Sequence, residues 1–248
     1  MPRPAAPGSR GGAKAPAGAA RASHAKMRAE ASALELNKAH WPVTVLGPGR
    51  RIGLWFQGCS IGCPGCVSRD TWPRDASKTI RVDDVVAWCR RVSGERGPDG
   101  ITISGGEPFE QPRPLAALLR ALARWRREAK LDFDVLCYSG MPLAKLARHH
   151  ADILAMLDAV IPEPFVSTLP MTRVWRGSSN QTLVALSDRG RARYAPHVDA
   201  PSDEKRMQAA IEGGRVWMIG LPARGDMERV EALCAERGLA LEKVSWRS

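Results

Sequence analysis

Three times between residues 51 and 140 a short apolar run breaks off into a glycine-bearing polar stretch. "RIGLWFQG" leads into "CSIGCPGC", "GITIS" into "GGEP", and "FDVLC" into "YSG". The first run is almost continuously apolar and the second is β-branched, both patterns of buried strands. Helical stretches lie between them. "VDDVVAWCRRV" (82–92) sets Val85, Val86, Cys89 and Val92 on one stripe, and "PLAALLRALARWRREAK" (114–130) opens on proline and repeats Leu115, Leu118, Leu119, Leu122 and Trp125 at helical spacing. Residues 142–157 read as one or two helices, and "DAVI" (158–161) and "QTLVALS" (181–187) as further strands. Strands separated by helices of this length form βαβ units with right-handed crossovers, and hence a parallel sheet. Chemistry in such sheets gathers at the carboxyl ends of the strands, so the three polar stretches are expected on one rim as one site.

The first of these stretches holds Cys59, Cys63 and Cys66, spaced C-x3-C-x2-C, with no fourth cysteine nearby. Soft thiolates at this spacing suit zinc or an iron–sulfur cluster. Structural zinc takes a closed set of four ligands, usually two separated pairs, and a second pair is missing from this sequence. A 4Fe–4S cluster on three cysteines keeps one iron open, as catalytic metal sites do for a substrate. Gly58, Gly62 and Gly65 let such a loop bend tightly. Making each thiolate at neutral pH costs about 2 kcal/mol, which iron ligation offsets.

The cysteine spacing, followed by a strand and "SGGEP", resembles the radical S-adenosylmethionine (SAM) superfamily. "GPGRRIGLWFQGC", "CPGC", "SGGEPFEQP" and "WRGSSNQ" occur in the same order as in the activating proteins of anaerobic ribonucleotide reductase and related single-cluster activases. The resemblance covers roughly residues 41–187. It implies a partial (β/α) barrel, a 4Fe–4S cluster on Cys59, Cys63 and Cys66, and SAM bound at the open iron. It also implies that Gly105, Gly106, Glu107, Ser139 and Gly140 contact SAM, with Glu107 facing the methionyl ammonium. One-electron cleavage of SAM would then give methionine and a 5′-deoxyadenosyl radical. In the activases that radical takes a hydrogen atom from a glycine of a partner enzyme, and the electron comes from a flavodoxin or ferredoxin. Arg176 to Gln181 is expected either at the mouth of the site or in contact with SAM, or as a turn capping the last strand. Where relatives often carry an acid and a glycine in a "DGPF"-like phrase, this chain has Pro162 and Glu163, which leaves the substrate open. The alternatives are a radical SAM enzyme acting on a peptide, RNA or small molecule, and a non-enzymatic zinc or iron–sulfur interaction protein.

The net charge of +11 raises nucleic acid as a partner, but six of those charges fall in residues 1–28, which contain no acid. The remainder is too dilute to indicate a polyanion partner. Residues 1–38 read as a disordered basic tail, 39–198 as the radical SAM core, and 199–248 as a small β-α-β extension. Within the extension, "RVWMIG" and "LALEKVSW" flank a helix from about Asp226, its N-cap. Translation can start at Met1 or Met27. No apolar run has the length of a membrane span or of a signal peptide's core, so a cytoplasmic protein is expected. Cys89, Cys137 and Cys234 read as small hydrophobes, His149–His150 as favourable charge at a helix end, and most tryptophans as packing.

Overall fold

The computed structural model describes residues 33–202, 207–212, 215–241 and 244–247. Its strands are β1 (Ala33–Val43), β2 (Arg51–Phe56), β3 (Thr79–Arg81), β4 (Gly100–Gly105), β5 (Asp134–Tyr138), β6 (Ala159–Ile161), β7 (Val184–Ala185), β8 (Met207–Glu212) and β9 (Arg215–Gly220). Its α-helices are α1 (Val82–Ser93), α2 (Pro112–Glu128), α3 (Leu143–His149), α4 (Ala151–Leu154), α5 (Asp188–Tyr194) and α6 (Asp226–Glu236). Seven strands share one sheet in the order β3-β1-β2-β4-β5-β6-β7, and β8 pairs with β9 separately. β2, β4, β5 and β6 run parallel, while β1 and β7 flank them antiparallel. This is the expected α/β architecture, a parallel core sheet of the partial-barrel kind.

Side chains alternate across this sheet, and the two faces differ in chemistry. Ile52, Leu54, Phe56, Ile101, Ile103, Val135, Cys137 and Val160 face the helices, packing with Val85 and Cys89 of α1 and Leu115, Leu118 and Leu122 of α2. Each of these leucines is buried, worth about 1.5–3 kcal/mol of transfer free energy. α1 also carries Asp83 and Asp84 in its first turn and Arg90 and Arg91 in its last, the arrangement its dipole favours. The other face carries Arg51, Trp55, Thr102, Asp134, Leu136 and Tyr138. Pairing places Phe56 beside Gly105, Ile103 beside Cys137 and Tyr138 beside Ile161, so the carboxyl ends lie level.

The opposite end is closed by a buried ion pair that the sequence does not announce. Arg51 and Asp134 are fully buried, and the guanidinium donates to both carboxylate oxygens, at 2.6 and 3.0 Å. Its Nε donates to Thr102 Oγ1 at 2.7 Å and Nη2 to the Ile101 carbonyl at 3.0 Å, and Tyr194 of α5 donates its hydroxyl to Asp134. Register puts Gly100 directly between Arg51 and Asp134. A Cβ on Gly100 would stand 2.1 Å from Arg51 Nη1, so glycine is what lets the arginine cross to its partner.

Three expectations are revised. Residues 33–38, assigned to the tail, form the first half of β1, which pairs with β3 over Ala33–Glu35 and has Leu34 buried in the core; residues 1–32 lie outside the described residues. The strand at "RVWMIG" and the helix after it are present, but β9 pairs with the preceding β8, and the described residues of 239–246 contain no strand. The extension is thus a hairpin and a helix. Asp226 is the first helical residue, with Gly225 in the cap position, and its carboxylate reaches back to accept from the Ala223 amide at 2.7 Å. Among the described residues no helix is long and apolar enough to cross a membrane.

Candidate functional site

All three polar stretches open onto a single cavity of about 180 Å³. Cys59, Cys63 and Cys66 line it together with Gly105, Gly106, Glu107, Ser139 and Gly140, so every residue expected to hold the cluster or SAM lies on its wall. The thiols are half-buried and free. They border a common space without being drawn into ligating geometry: among the described residues no three His, Cys, Asp or Glu side chains already stand around one point.

The cysteine loop leaves β2 and closes on itself, with the Gly58 and Cys59 amides donating to the Thr71 and Trp72 carbonyls at 2.7 and 2.9 Å. Gly58, Gly62 and Gly65 all have positive φ, at 92°, 60° and 81°, as the expected tight bend requires. Gln57, 2% exposed, ties the loop's far side down by donating to the Asp70 and Pro73 carbonyls. Burial pushes the Cys59 and Cys63 thiols above the usual range, the nearby carboxylates of Glu107 and others adding to the effect. Binding of a metal by these thiols therefore releases protons.

Besides lining the cavity, Gly105 and Gly106 have a local packing purpose. A Cβ on Gly106 would lie 2.2 Å from the Gly58 carbonyl oxygen, and one on Gly105 would lie 2.5 Å from the Phe56 nitrogen. The bare backbone is needed so that this turn can seat against the cysteine loop. Two hydrogen bonds fasten it there, from the Gly106 amide to Phe56 O and from the Glu107 amide to Gly58 O, both 2.8 Å.

Glu107 is 1% exposed and joins the second and third stretches. Its Oε1 accepts from the Phe109 amide at 3.0 Å and the Ser139 hydroxyl at 2.9 Å, and its Oε2 accepts from the Gly140 amide at 2.7 Å. A carboxylate has about four lone-pair directions, so one remains, on Oε2. Burial raises its pKa to about 7 against the opposing pull of those three donors. Ser139 in turn accepts from the Met141 amide at 3.0 Å. Gly140 packs where a Cβ would meet Ile61 of the cysteine loop at 2.6 Å.

Around this centre, Tyr138 donates to the Trp175 carbonyl at 2.8 Å, and burial pushes its phenol pKa well up. Arg176 to Gln181 forms a turn, and β7 has only two residues. Gly177 and Gln181 of that turn line the cavity, while Arg176 turns away to the Val174, His197 and Val198 carbonyls. Sequence reasoning flagged Glu163 only as a departure, yet it lines the cavity with φ of 82°, a conformation that favours glycine. Its carboxylate accepts from the Leu143 amide at 3.1 Å at the start of α3, and its carbonyl accepts from Gln181. The C-terminal segment was not expected here, but Gly220, Leu221 and Pro222 complete the wall. His149, His150, Cys89, Cys137 and Cys234 stay outside the cavity, His150 meeting Phe109 at a 55° tilt with centroids 5.3 Å apart.

Residues 45–184 match the family described as the 4Fe-4S single cluster domain. The anaerobic ribonucleoside-triphosphate reductase-activating protein of Escherichia coli K12 is 28% identical over 149 residues, covering 58% of this chain and 94% of the relative. Its Vibrio cholerae counterpart is 30% identical over the same shares. The pyruvate formate-lyase-activating enzyme of Streptococcus mutans is 29% identical over 180 residues, covering 69% of this chain and 67% of that one. The crystal structure of QueE from Escherichia coli overlaps 46% of this chain and 56% of its own with a TM-score of 0.38 and 17% identity, too slight a likeness to carry weight. With more than half of its length inside the family match and the family's three-cysteine loop on the cavity wall, the chain belongs to the radical SAM-type 4Fe-4S single cluster domain family.

Proposed function

We propose that Cys59, Cys63 and Cys66 hold the 4Fe–4S cluster, that Gly105, Gly106, Glu107, Ser139 and Gly140 bind SAM beside it, and that the protein is an activating enzyme that generates a glycyl radical on a partner enzyme. One observation carries this reading: the Glu107 carboxylate binds Ser139 and Gly140 in a cavity that the three thiols also line. The donor set fits the group, because three soft thiolates leave one iron free for the amino-acid end of SAM. When bound, the cluster supplies the electron that cleaves SAM.

The chain's own residues bind and orient. Glu107 offers its remaining Oε2 lone pair to the methionyl ammonium, a charge-assisted hydrogen bond that also favours the ionised carboxylate. Ser139 and the Gly140 amide hold that carboxylate in one orientation before any ligand arrives. Leu46, Trp55, Ile61 and Phe165 present apolar surface to the same cavity and keep water from the reacting groups. A flavodoxin or ferredoxin is the proposed electron donor and a glycyl-radical enzyme the proposed partner.

Anaerobic reconstitution with iron and sulfide, then dithionite and SAM, tests the chemistry. Wild type should give 5′-deoxyadenosine and Cys63→Ala none. Adding a glycyl-radical enzyme should give a protein-centred doublet by electron paramagnetic resonance. The second reading, a radical SAM enzyme acting on a peptide, RNA or small molecule, is favoured by Glu163 at a glycine-like φ and by the extra C-terminal wall. It predicts 5′-deoxyadenosine with no doublet. Tetrahedral zinc in oxygen-free material, with no 5′-deoxyadenosine, overturns both.

A further inference from the structure

The family match stops at residue 184, so the segment from residue 207 onward lies beyond it. It is not a loose appendage. Ile219 of β9 is 3% exposed, packed against Val43, Val45, Leu46 and Trp55. Gln208 of β8 accepts from the Thr44 amide at 3.0 Å and donates to the Pro42 carbonyl at 2.7 Å. β9 therefore runs along the edge of the core, and the chain leaving it enters the cavity wall as Gly220, Leu221 and Pro222. The bond from the Ala223 amide to Asp226 fixes the turn that follows. Beyond α6 the segment returns to the cysteine loop. Ser245 donates its hydroxyl to Val67 O at 3.0 Å and accepts from the Asp70 amide at 3.2 Å, at the exit of the cysteine loop. Trp246 and Arg247 both bond to Glu231, which ties this return to α6.

The segment is thus fastened on two sides of the space that holds the three thiols. What it contributes to the lining is Gly220, Leu221 and Pro222, whose side chains carry no hydrogen-bonding group. Such a wall rejects by shape. We propose that Leu221 and Pro222 are specificity-determining residues, which narrow the cavity so that only a substrate segment of small cross-section reaches the cysteine loop. This rests on the proposed function for identifying the cavity as the place of reaction.

Thiol alkylation in the metal-free full-length protein tests it without a substrate. The probes are iodoacetamide and the bulkier N-(1-pyrenyl)maleimide, with modification at Cys59, Cys63 and Cys66 followed by mass spectrometry and Cys234, outside the cavity, as internal reference. Leu221→Ala removes three side-chain carbons and should raise the maleimide rate at the loop thiols by roughly tenfold, at the low end of what a single methylene commands in a shaped pocket. Leu221→Trp should lower it by a similar factor. Iodoacetamide rates should stay within about twofold of wild type, since local opening of the loop is unchanged. Equal maleimide rates in all three proteins overturn the proposal, as do equal changes for both probes, which would mean loosening of the loop. If Leu221→Ala does not fold, Leu221→Trp decides alone: its maleimide rate must fall while iodoacetamide holds. Failure of the cofactor reading would appear instead as missing 5′-deoxyadenosine, which this experiment never measures.

Discussion

Glu107→Gln separates what the buried carboxylate does for folding from what it does for ligand binding. Burial takes its pKa from 4.5 to about 7 in the folded chain. A carboxyl raised in this way holds its proton longer when folded than when unfolded. Stability is therefore highest below pH 4.5, falls as pH climbs toward 7, and levels off above it. At 1.36 kcal/mol per pKa unit, the fall attributable to Glu107 between pH 5 and 8 is about 2–3 kcal/mol. Glutamine removes this slope, although its amide cannot accept from both Gly140 and Ser139, which costs about 1–3 kcal/mol at every pH. Urea unfolding of metal-free wild type and Glu107→Gln at pH 5 and pH 8 isolates the effect, because the constant cost cancels in the difference of differences. The variant should be the less stable protein at pH 5 and close the gap by about 2–3 kcal/mol at pH 8. Parallel pH profiles would refute the reasoning, since they would mean that the carboxyl titrates alike in both states. In the reconstituted protein the same change should weaken SAM binding roughly 10- to 100-fold, the value of a hydrogen bond to a charged group.

Three further outcomes follow from the geometry. Because burial holds the Cys59 and Cys63 thiols protonated, anaerobic iron loading should be markedly poorer at pH 6.5 than at pH 8.5, read as iron and sulfide per chain. Asp134→Asn strands the buried Arg51 guanidinium and should cost about 3–5 kcal/mol in urea unfolding, whereas removing both charges with Arg51→Met and Asp134→Leu should cost much less than the two single changes summed. Glu163→Gly relieves a left-handed backbone and loses the contact to Leu143, two effects of about 1 kcal/mol each and opposite sign, so stability should barely move; Glu163→Ala keeps the strain, loses the contact and should cost about 1–2 kcal/mol.

The parallel core was legible because its strands are short apolar runs and its helices carry long leucine stripes. The flanking strands were not. In "ALELNKAHWPV" Leu34 and Leu36 alternate as a strand requires, but Ala33, Glu35, Lys38 and Ala39 are helix formers, and pairing with β2 outweighs that preference. β8 reads "MQAAIE", with little β-branched character; the signal was the Gly213–Gly214 pair between two runs, a two-residue hairpin signature. Arg51 looks like a charged cap on an apolar strand, since its partner lies 83 residues away. At the site, the convergence of Cys59, Glu107 and Ser139 followed from parallel topology alone. The bonds from Ser139 and Gly140 to Glu107 did not, because a motif fixes which strand end a residue occupies and not which neighbour it holds.

The two ends of the parallel strands do different work, and the division decides which substitutions mean what. At the amino ends Arg51, Asp134 and Tyr194 form a sealed polar layer with Gly100 at its centre. At the carboxyl ends Gly105, Glu107 and Ser139 face the cavity, with Trp55 and Leu136 in the body of the sheet between. Packed apolar residues do not relay a lost ion pair as a shift of a distant carboxylate unless a strand moves as a whole. A change at Asp134 should therefore lower the unfolding midpoint and leave the Michaelis constant for SAM unaltered in the protein that remains folded. Glu107 has no such separation: two of the three donors that orient it, Ser139 and Gly140, come from the stretch after β5, so substitution there should alter both stability and the proposed SAM binding. Leu221 reaches the cavity from a separate hairpin, which packs on Val43, Val45, Leu46 and Trp55 and bonds to Thr44 and Pro42. Change at that position can therefore alter what enters the cavity while the groups proposed to hold cluster and SAM stay as they are.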